Sequence, residues 1–118
     1  MIAGVGTDIV KISRVECAYK KKAFRERVYT EREQEMIGER LSRAADNWAA
    51  KEAVVKAFGT GFGKVAPKQV EVLRDGRGKP FVILHDQAAT MAEEMGVCDC
   101  PISIANEREY AIAFAIIL

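Results

Sequence analysis

Two acidic residues are candidates for chemistry because they lie in small or apolar surroundings. Asp8 follows Gly6-Thr7 in the first apolar segment, and Glu52 lies in an alanine- and valine-rich helical pattern. Lys56 lies four residues beyond Glu52, so both project from the same helix face. An Asp and a Glu brought together would form an oxygen-ligand site suited to Mg²⁺, which commonly holds diphosphates. The alternative is a surface Glu–Lys pair, which contributes only about 0.3–0.5 kcal/mol.

The other candidate motifs are weaker. The segment Gly59-Thr60-Gly61-Phe62-Gly63 follows the helical pattern rather than opening it, which favours a helix cap over a phosphate-binding loop. Cys98 and Cys100 provide two thiols and His85 is the only histidine, so four zinc ligands in a recognisable spacing are missing. No Gly-x-Ser-x-Gly motif occurs, and His85 gives no Ser–His arrangement for acyl transfer.

The charge is unevenly distributed along the chain. The formal net charge is +1, but residues 11–27 contain seven cations and two glutamates, a net charge of +5. This basic segment indicates an acidic partner rather than general affinity for nucleic acid. The alternative is a helix face that is simply solvated. The cations of the segment are Lys11, Arg14, Lys20, Lys21, Lys22, Arg25 and Arg27.

Length and composition indicate one folded domain. The chain has 118 residues, 49% of them hydrophobic and 30% charged, which is typical of a globular protein. The longest apolar run, 111–118, is far shorter than the roughly 20 residues of a membrane-spanning helix. We therefore expect no membrane association, and the first residues lack the pattern of a signal peptide. Three cysteines favour a reducing compartment, the cytoplasm.

The N-terminal half predicts one strand and three helices. Residues 2–10 predict a strand that ends near Asp8, and Ser13 is a possible N-cap of a basic helix that runs to about Lys22. Thr30 and Glu33 have the spacing of a capping box. A long helix is predicted over 40–58, with Gly59 as its left-handed C-cap. Its apolar stripe comprises Leu41, Ala44, Ala45, Trp48, Ala49, Ala53 and Val55.

The C-terminal half predicts mainly strands. Residues 70–73 and 81–84 form a predicted hairpin around the turn 75–78, and a short helix over 86–96 ends at Gly96. Residues 102–104 and 110–118 predict two closing strands. The last eight residues are all apolar, so we expect both faces of that strand to be covered. Helices and hairpin strands without regular βαβ spacing indicate the α+β class.

Several segments together resemble the holo-[acyl-carrier-protein] synthases, a family of 4′-phosphopantetheinyl transferases. The residues Gly6-Thr7-Asp8-Ile9-Val10 with Arg14, and later Phe24, Arg27-Val28-Tyr29-Thr30 and Glu33, resemble the first signature of the family. Residues 48–61 resemble its central signature, W/F-A-x-K-E-A-x-x-K-A-x-G-T-G. Gly78-Lys79-Pro80 and residues 103–110 match later blocks in the same order, so the resemblance covers essentially the whole chain.

The resemblance implies one α+β domain over residues 1–118, with an antiparallel sheet packed against helices. It implies transfer of 4′-phosphopantetheine from coenzyme A to a serine of apo acyl carrier protein, with release of adenosine 3′,5′-bisphosphate. Asp8 and Glu52 match the Mg²⁺ ligands that hold the coenzyme A pyrophosphate, and Lys56 matches a basic residue beside it. Because the attacking serine belongs to the carrier protein, the enzyme needs no nucleophile of its own.

The resemblance also implies where the substrates bind. Arg14 and the basic helix correspond to the surface that receives the acidic carrier protein, and the planar guanidinium group of Arg25 also suits carboxylates. Gly59-Thr60-Gly61 and Asn106 are expected at the substrate. The family further implies a homotrimer with sites at subunit interfaces, in which the apolar last strand contacts another subunit.

Two positions depart from the pattern of the family. Asn106 stands where histidine is common, and Asn47 stands where many members have arginine. Proton transfer by a histidine is therefore not expected at position 106, and a Mg²⁺-bound water or Asp8 is the expected base. The alternative function is a non-catalytic module that binds carrier protein or coenzyme A. The presence of Asp8, Glu52 and Lys56 argues against that alternative.

Overall fold

One long helix lies at the centre of the fold, packed between two antiparallel sheets and the shorter helices. The computed structural model describes residues 1–118. The strands are β1 (Gly4–Lys11), β2 (Val70–Arg74), β3 (Pro80–Leu84), β4 (Ile102–Asn106) and β5 (Tyr110–Ile117). The helices are α1 (Ile12–Tyr19), α2 (Lys22–Val28), α3 (Glu31–Ile37), α4 (Ser42–Phe58) and α5 (Asp86–Glu94). Short 3₁₀ turns occupy Gly61–Gly63 and Pro67–Gln69.

The larger sheet has the strand order β1-β5-β4, and the smaller one pairs β2 with β3. All pairs are antiparallel, which confirms the α+β prediction. Strand β1 packs closely on α4 because Gly4 and Gly6 have no side chain. A Cβ atom on Gly4 or Gly6 would collide with the backbone carbonyl groups of Ala57 and Ala53. The glycines therefore allow β1 to lie directly against the helix that contains Glu52.

Strand β5 alternates small and large residues. Ala111, Ala113 and Ala115 are buried on the face toward α4, whereas Ile112 and Phe114 remain 44% and 43% exposed on the opposite face. In the single chain only the face toward α4 is therefore covered. The residues are uniformly apolar, but the sheet has helices on only one side.

The beginning of the basic segment differs from the prediction. Strand β1 continues to Lys11, past the expected end at Asp8, and α1 begins directly at Ile12 without a side-chain cap. Ser13 is not the N-cap, because the backbone N–H of Ile12 donates to the carbonyl oxygen of Glu109 at 2.8 Å. Helix α1 ends at Tyr19, before the expected end at about Lys22, and a second short helix, α2, begins at Lys22.

The predicted local signals are confirmed elsewhere. Thr30 and Glu33 form the capping box of α3, with side-chain to backbone distances of 3.1 and 3.0 Å. Gly59 ends α4 in the left-handed conformation, with φ of 82°. The β2–β3 turn is held by the Asp75 carboxylate, which accepts from two backbone N–H groups at 2.9 Å. None of the helices is long and apolar enough to cross a membrane.

Helix α4 is buried around most of its circumference, not only along its apolar stripe. Lys51 is fully buried, and its ammonium group donates to the Glu33 carboxylate at 2.8 Å and to the carbonyls of Pro67 and Val70 at 2.9 and 2.7 Å. Burial lowers the pKa of Lys51, and the adjacent Glu33 opposes that change. This ion pair fixes α4 against α3 and β2.

Asn47 belongs to the same buried network. Its amide group donates to Glu33 at 3.0 Å and to the carbonyl of Val72 at 3.0 Å, and the residue has no exposed surface. The departure from the family pattern at this position therefore lies in the interior of the protein.

Candidate active site

Asp8 and Lys56 meet where β1 packs on α4. Asp8 lies on the face of β1 that points toward the helix, and Lys56 lies in the last turn of α4. The Lys56 ammonium donates to Asp8 Oδ1 at 2.8 Å and to the Thr7 carbonyl oxygen at 3.2 Å. The structure thus brings together two residues 48 positions apart in the sequence.

Glu52 lies one turn before Lys56 and completes the cluster. Burial raises the pKa of Glu52, the negative charge of Asp8 raises it further, and Lys56 opposes both effects. Lys56 forms its ion pair with Asp8 and not with Glu52, so the alternative of an ordinary Glu–Lys surface pair is wrong. The hydrogen bond to Asp8 raises the pKa of Lys56.

The cluster combines two carboxylates and one ammonium group at a partly exposed position. The Asp8 side chain is 15% exposed and the Lys56 side chain is 50% exposed, so a ligand in solution can reach both. Nowhere are three or more His, Cys, Asp or Glu side chains grouped to hold a metal ion. Chemically, the arrangement can bind a cation through Asp8 and Glu52 and an anion through Lys56.

The glycine-rich segment follows α4 immediately. Gly59 and Gly61 have φ angles of 82° and 61°, a conformation that favours glycine. The Phe62 ring stacks on Trp48 of α4 with their centroids 5.6 Å apart, which folds the segment back along the helix. The segment therefore caps a helix C-terminus, as its position in the sequence predicts, and places Thr60 close beyond Lys56.

A second polar site lies between the start of α4 and the ends of β2 and β4. It is a cavity of about 300 Å³ whose lining contains three arginines and one aspartate. Asn106 lines it and donates its amide group to Asp46 Oδ1 at 2.8 Å. The lining residues are Arg40, Ser42, Arg43, Asp46, Arg74, Ile104 and Asn106.

Asn106 is a substrate-binding candidate in the sequence, whereas the three arginines of this cavity are not. Arg40 lies just before α4 and Arg43 lies in its first turn, whereas Arg74 ends β2, so no local motif links the three. The only signal available was the spacing of Arg40 and Arg43, which is common on exposed helix faces. The cavity becomes visible only when the sheets are placed against α4.

The two arginines of the basic segment have different environments. Arg14 is exposed on α1 and forms no ion pair. Arg25 is partly buried, donates to the carbonyl oxygen of Tyr19 at 2.9 Å, and lies 5.7 Å from the centre of the Tyr19 ring. Arg25 therefore secures the end of α1, and Arg14 is the freer of the two.

His85, the only histidine, lies between β3 and α5, at the N-cap position of α5. Its ring contacts the Glu71 carboxylate at 3.0 Å, and Thr30 also donates to that carboxylate. This contact lies at the entrance to α3 and the smaller sheet. His85 is therefore not part of the Asp8 cluster.

The sequence profile of the 4′-phosphopantetheinyl transferase superfamily matches residues 4–115. The chain belongs to this superfamily. It is 47% identical over 116 residues to the holo-[acyl-carrier-protein] synthase of Lachnoclostridium phytofermentans, with 98% of this chain and 95% of that protein covered. It is 43% identical over 122 residues to the synthase of Serratia proteamaculans, with 98% and 97% covered.

Solved structures share the fold of this transferase over its full length. The holo-[acyl-carrier-protein] synthase of Neisseria meningitidis has a TM-score of 0.90 at 32% identity and covers 100% of this chain and 99% of its own. The synthase of Bacillus anthracis, solved with coenzyme A (3′,5′-ADP), has a TM-score of 0.81 at 36% identity, with 99% and 96% covered. The Helicobacter pylori synthase, solved with coenzyme A, has a TM-score of 0.88 at 26% identity, with 97% and 99% covered.

Proposed function

We propose that this transferase moves the 4′-phosphopantetheine group from coenzyme A to a serine of apo acyl carrier protein. The contact between Lys56 and Asp8, beside Glu52, is the structural observation that carries the proposal. The serine hydroxyl attacks the phosphorus that bears the pantetheine arm, and the bond from that phosphorus to the bridging oxygen breaks. The serine loses its proton, and adenosine 3′,5′-bisphosphate leaves. The family and the relatives solved with coenzyme A support this reaction.

Asp8 and Glu52 would hold a Mg²⁺ ion. The donor set fits, because Mg²⁺ is usually bound through one or two carboxylates while water and substrate phosphates fill the other positions. The ion, when bound, offsets the negative charge of the pyrophosphate. Burial and the negative charge of Asp8 both raise the pKa of Glu52, and a bound cation would favour the charged form of both carboxylates.

Lys56 would act on the reacting phosphates directly. Because its side chain is half-exposed, the ammonium group can contact a phosphate oxygen without a rearrangement of α4. Phosphoryl transfer is accelerated mainly by positioning and by neutralising charge on the leaving group. The proton of the serine would pass to Asp8 or to a water held beside it, because position 106 offers an amide and not an imidazole.

The arginine-lined cavity supports a second attachment point for coenzyme A. The three arginines outnumber Asp46, so the cavity favours an anion. Coenzyme A has a phosphate on the ribose in addition to its pyrophosphate, and guanidinium groups suit phosphate geometry. We therefore place the nucleotide end of the donor near Arg40, Arg43 and Asn106. Thr60 and the flanking glycines are proposed to lie beside the pyrophosphate.

The basic segment would receive the acidic carrier protein. Arg14 is exposed and unpaired, and most of the surrounding lysines are exposed as well. Arg25 would contribute from the α1–α2 junction, where it also stabilises the end of α1. Complementary charge chiefly raises the encounter rate, which falls as salt screens the charges.

A homotrimer would cover the outer face of the larger sheet. Val5 and Ile9 on β1 and Ile112 and Phe114 on β5 are all exposed large apolar residues on that face. A contiguous apolar patch of this kind typically marks a protein interface. The three free cysteines support a cytoplasmic location, where thiols stay reduced.

Intact-mass analysis of the carrier protein tests the reaction. Incubation with coenzyme A, Mg²⁺ and an apo carrier protein is expected to add one phosphopantetheine group to the carrier. A parallel reaction with a chelator tests the need for Mg²⁺. Binding of carrier or coenzyme A without any mass gain, across several carriers, would instead support the non-catalytic module.

A further inference from the structure

We propose that Asp46 is a positioning residue that holds Asn106 and Arg74 in the orientation that binds the nucleotide end of coenzyme A. The inference rests on the proposed function and concerns the arginine-lined cavity. Asp46 lies near the start of α4 and lines the cavity. It is only 5% exposed, so its side chain contacts neighbouring residues more than it could contact a ligand.

The Asp46 carboxylate joins three elements through its two oxygens. Oδ1 accepts from the Asn106 amide of β4 at 2.8 Å, and Oδ2 lies 3.4 Å from a terminal nitrogen of Arg74 on β2. A carboxylate only accepts hydrogen bonds, so Asn106 must turn its nitrogen toward Asp46. The amide group is thereby fixed in one of its two possible orientations.

Arg74 is restrained but not saturated by these contacts. One of its terminal nitrogens donates to the Gly78 carbonyl oxygen at 3.2 Å, and the other faces Asp46. Its Nε–H has no hydrogen-bond partner. A guanidinium group has five N–H donors, so donors remain for an oxygen ligand in the cavity.

The negative charge of Asp46 opposes the binding of an anion in this cavity, so another role must explain its presence there. A buried carboxylate beside an anion-binding site repels the anion, so charge alone would make Asp46 unfavourable there. Holding a long arginine side chain and an asparagine amide in fixed positions lowers the ordering cost that a ligand meets on binding. Repulsion weakens the binding of coenzyme A and positioning strengthens it, and we expect positioning to be the larger effect.

The variant Asp46→Asn keeps the shape of the side chain but replaces one acceptor oxygen with a donor. We expect the KM for coenzyme A to rise about tenfold, as for the loss of a hydrogen bond to a charged group, with kcat within about twofold of the wild type. The KM for 3′-dephospho-coenzyme A, which lacks the ribose phosphate, should change less than about twofold. Asp86→Asn, the same substitution at an exposed position, is the matched control and should leave both constants unchanged.

Calorimetric binding of adenosine 3′,5′-bisphosphate checks the result without turnover, and a rise of about tenfold in Kd is expected for Asp46→Asn. The variant Asn106→Ala should weaken binding similarly. The double variant should bind no more weakly than the weaker-binding of the two single variants, because the two residues act together.

An unchanged or lower KM for coenzyme A in Asp46→Asn would overturn the proposal, since it would assign Asp46 to stability or to charge alone. Equal changes for both donors, or additive losses in the double variant, would overturn it as well. Failure of the wild type to modify the carrier would count against the proposed function itself.

Discussion

Replacement of Lys51 by methionine removes the cation of the buried Lys51–Glu33 ion pair, which joins α4 to α3. Both side chains, Lys51 and Glu33, have no exposed surface, and the ammonium group makes three hydrogen bonds of 2.7–2.9 Å. The variant leaves the Glu33 carboxylate without its counter-ion in the interior. Breaking a buried pair in this way costs about 3–5 kcal/mol, a large share of the roughly 5–15 kcal/mol that stabilises a typical domain.

Urea unfolding followed by the fluorescence of Trp48, the only tryptophan, measures this loss. The protein concentration must be the same for all variants, because association changes apparent stability. Lys56→Met is the matched control: it removes the same side chain from the same helix, but at a half-exposed ion pair. Its expected cost is below about 1 kcal/mol.

A loss below about 1 kcal/mol for Lys51→Met would contradict the assigned role of the buried pair, as would a loss equal to that of the control. Adding Glu33→Met is not expected to restore stability. Glu33 also accepts hydrogen bonds from the backbone N–H groups of Thr30 and Val72 and from the amide group of Asn47. Those three donors would lose their acceptor in the double variant.

Three further predictions concern the site and its partners. Glu52→Gln and Asp8→Asn should each abolish transfer, measured by carrier mass, while circular dichroism stays unchanged; near-normal rates at low Mg²⁺ would contradict the ligand assignment. Phe114→Asp should convert a trimer into a monomer of 13.1 kDa in sedimentation, and a stable, active wild-type monomer would contradict the trimer. Arg14→Ala should raise the KM for carrier protein but not for coenzyme A, with a weaker salt dependence; an equal response of both substrates would indicate a merely solvated face.

The local elements could be predicted from the sequence alone. The capping box of Thr30 and Glu33, the C-cap at Gly59 and the turn held by Asp75 depend on residues within a few positions of one another. Such signals act through short-range hydrogen bonds and backbone geometry, so they can be read without the rest of the chain. The prediction of Ser13 as a cap is wrong because the start of α1 is satisfied by the distant carbonyl group of Glu109.

The resemblance to the family also points to Asp8, Glu52 and Lys56, but the sequence does not show that they meet. Their approach depends on β1 lying directly on α4, which the absence of side chains at Gly4 and Gly6 allows. The buried environment of Asn47 and the arginine-lined cavity likewise arise from elements far apart in the chain. Contacts between distant residues depend on how the surfaces of helices and sheets pack together, so no short sequence motif predicts them.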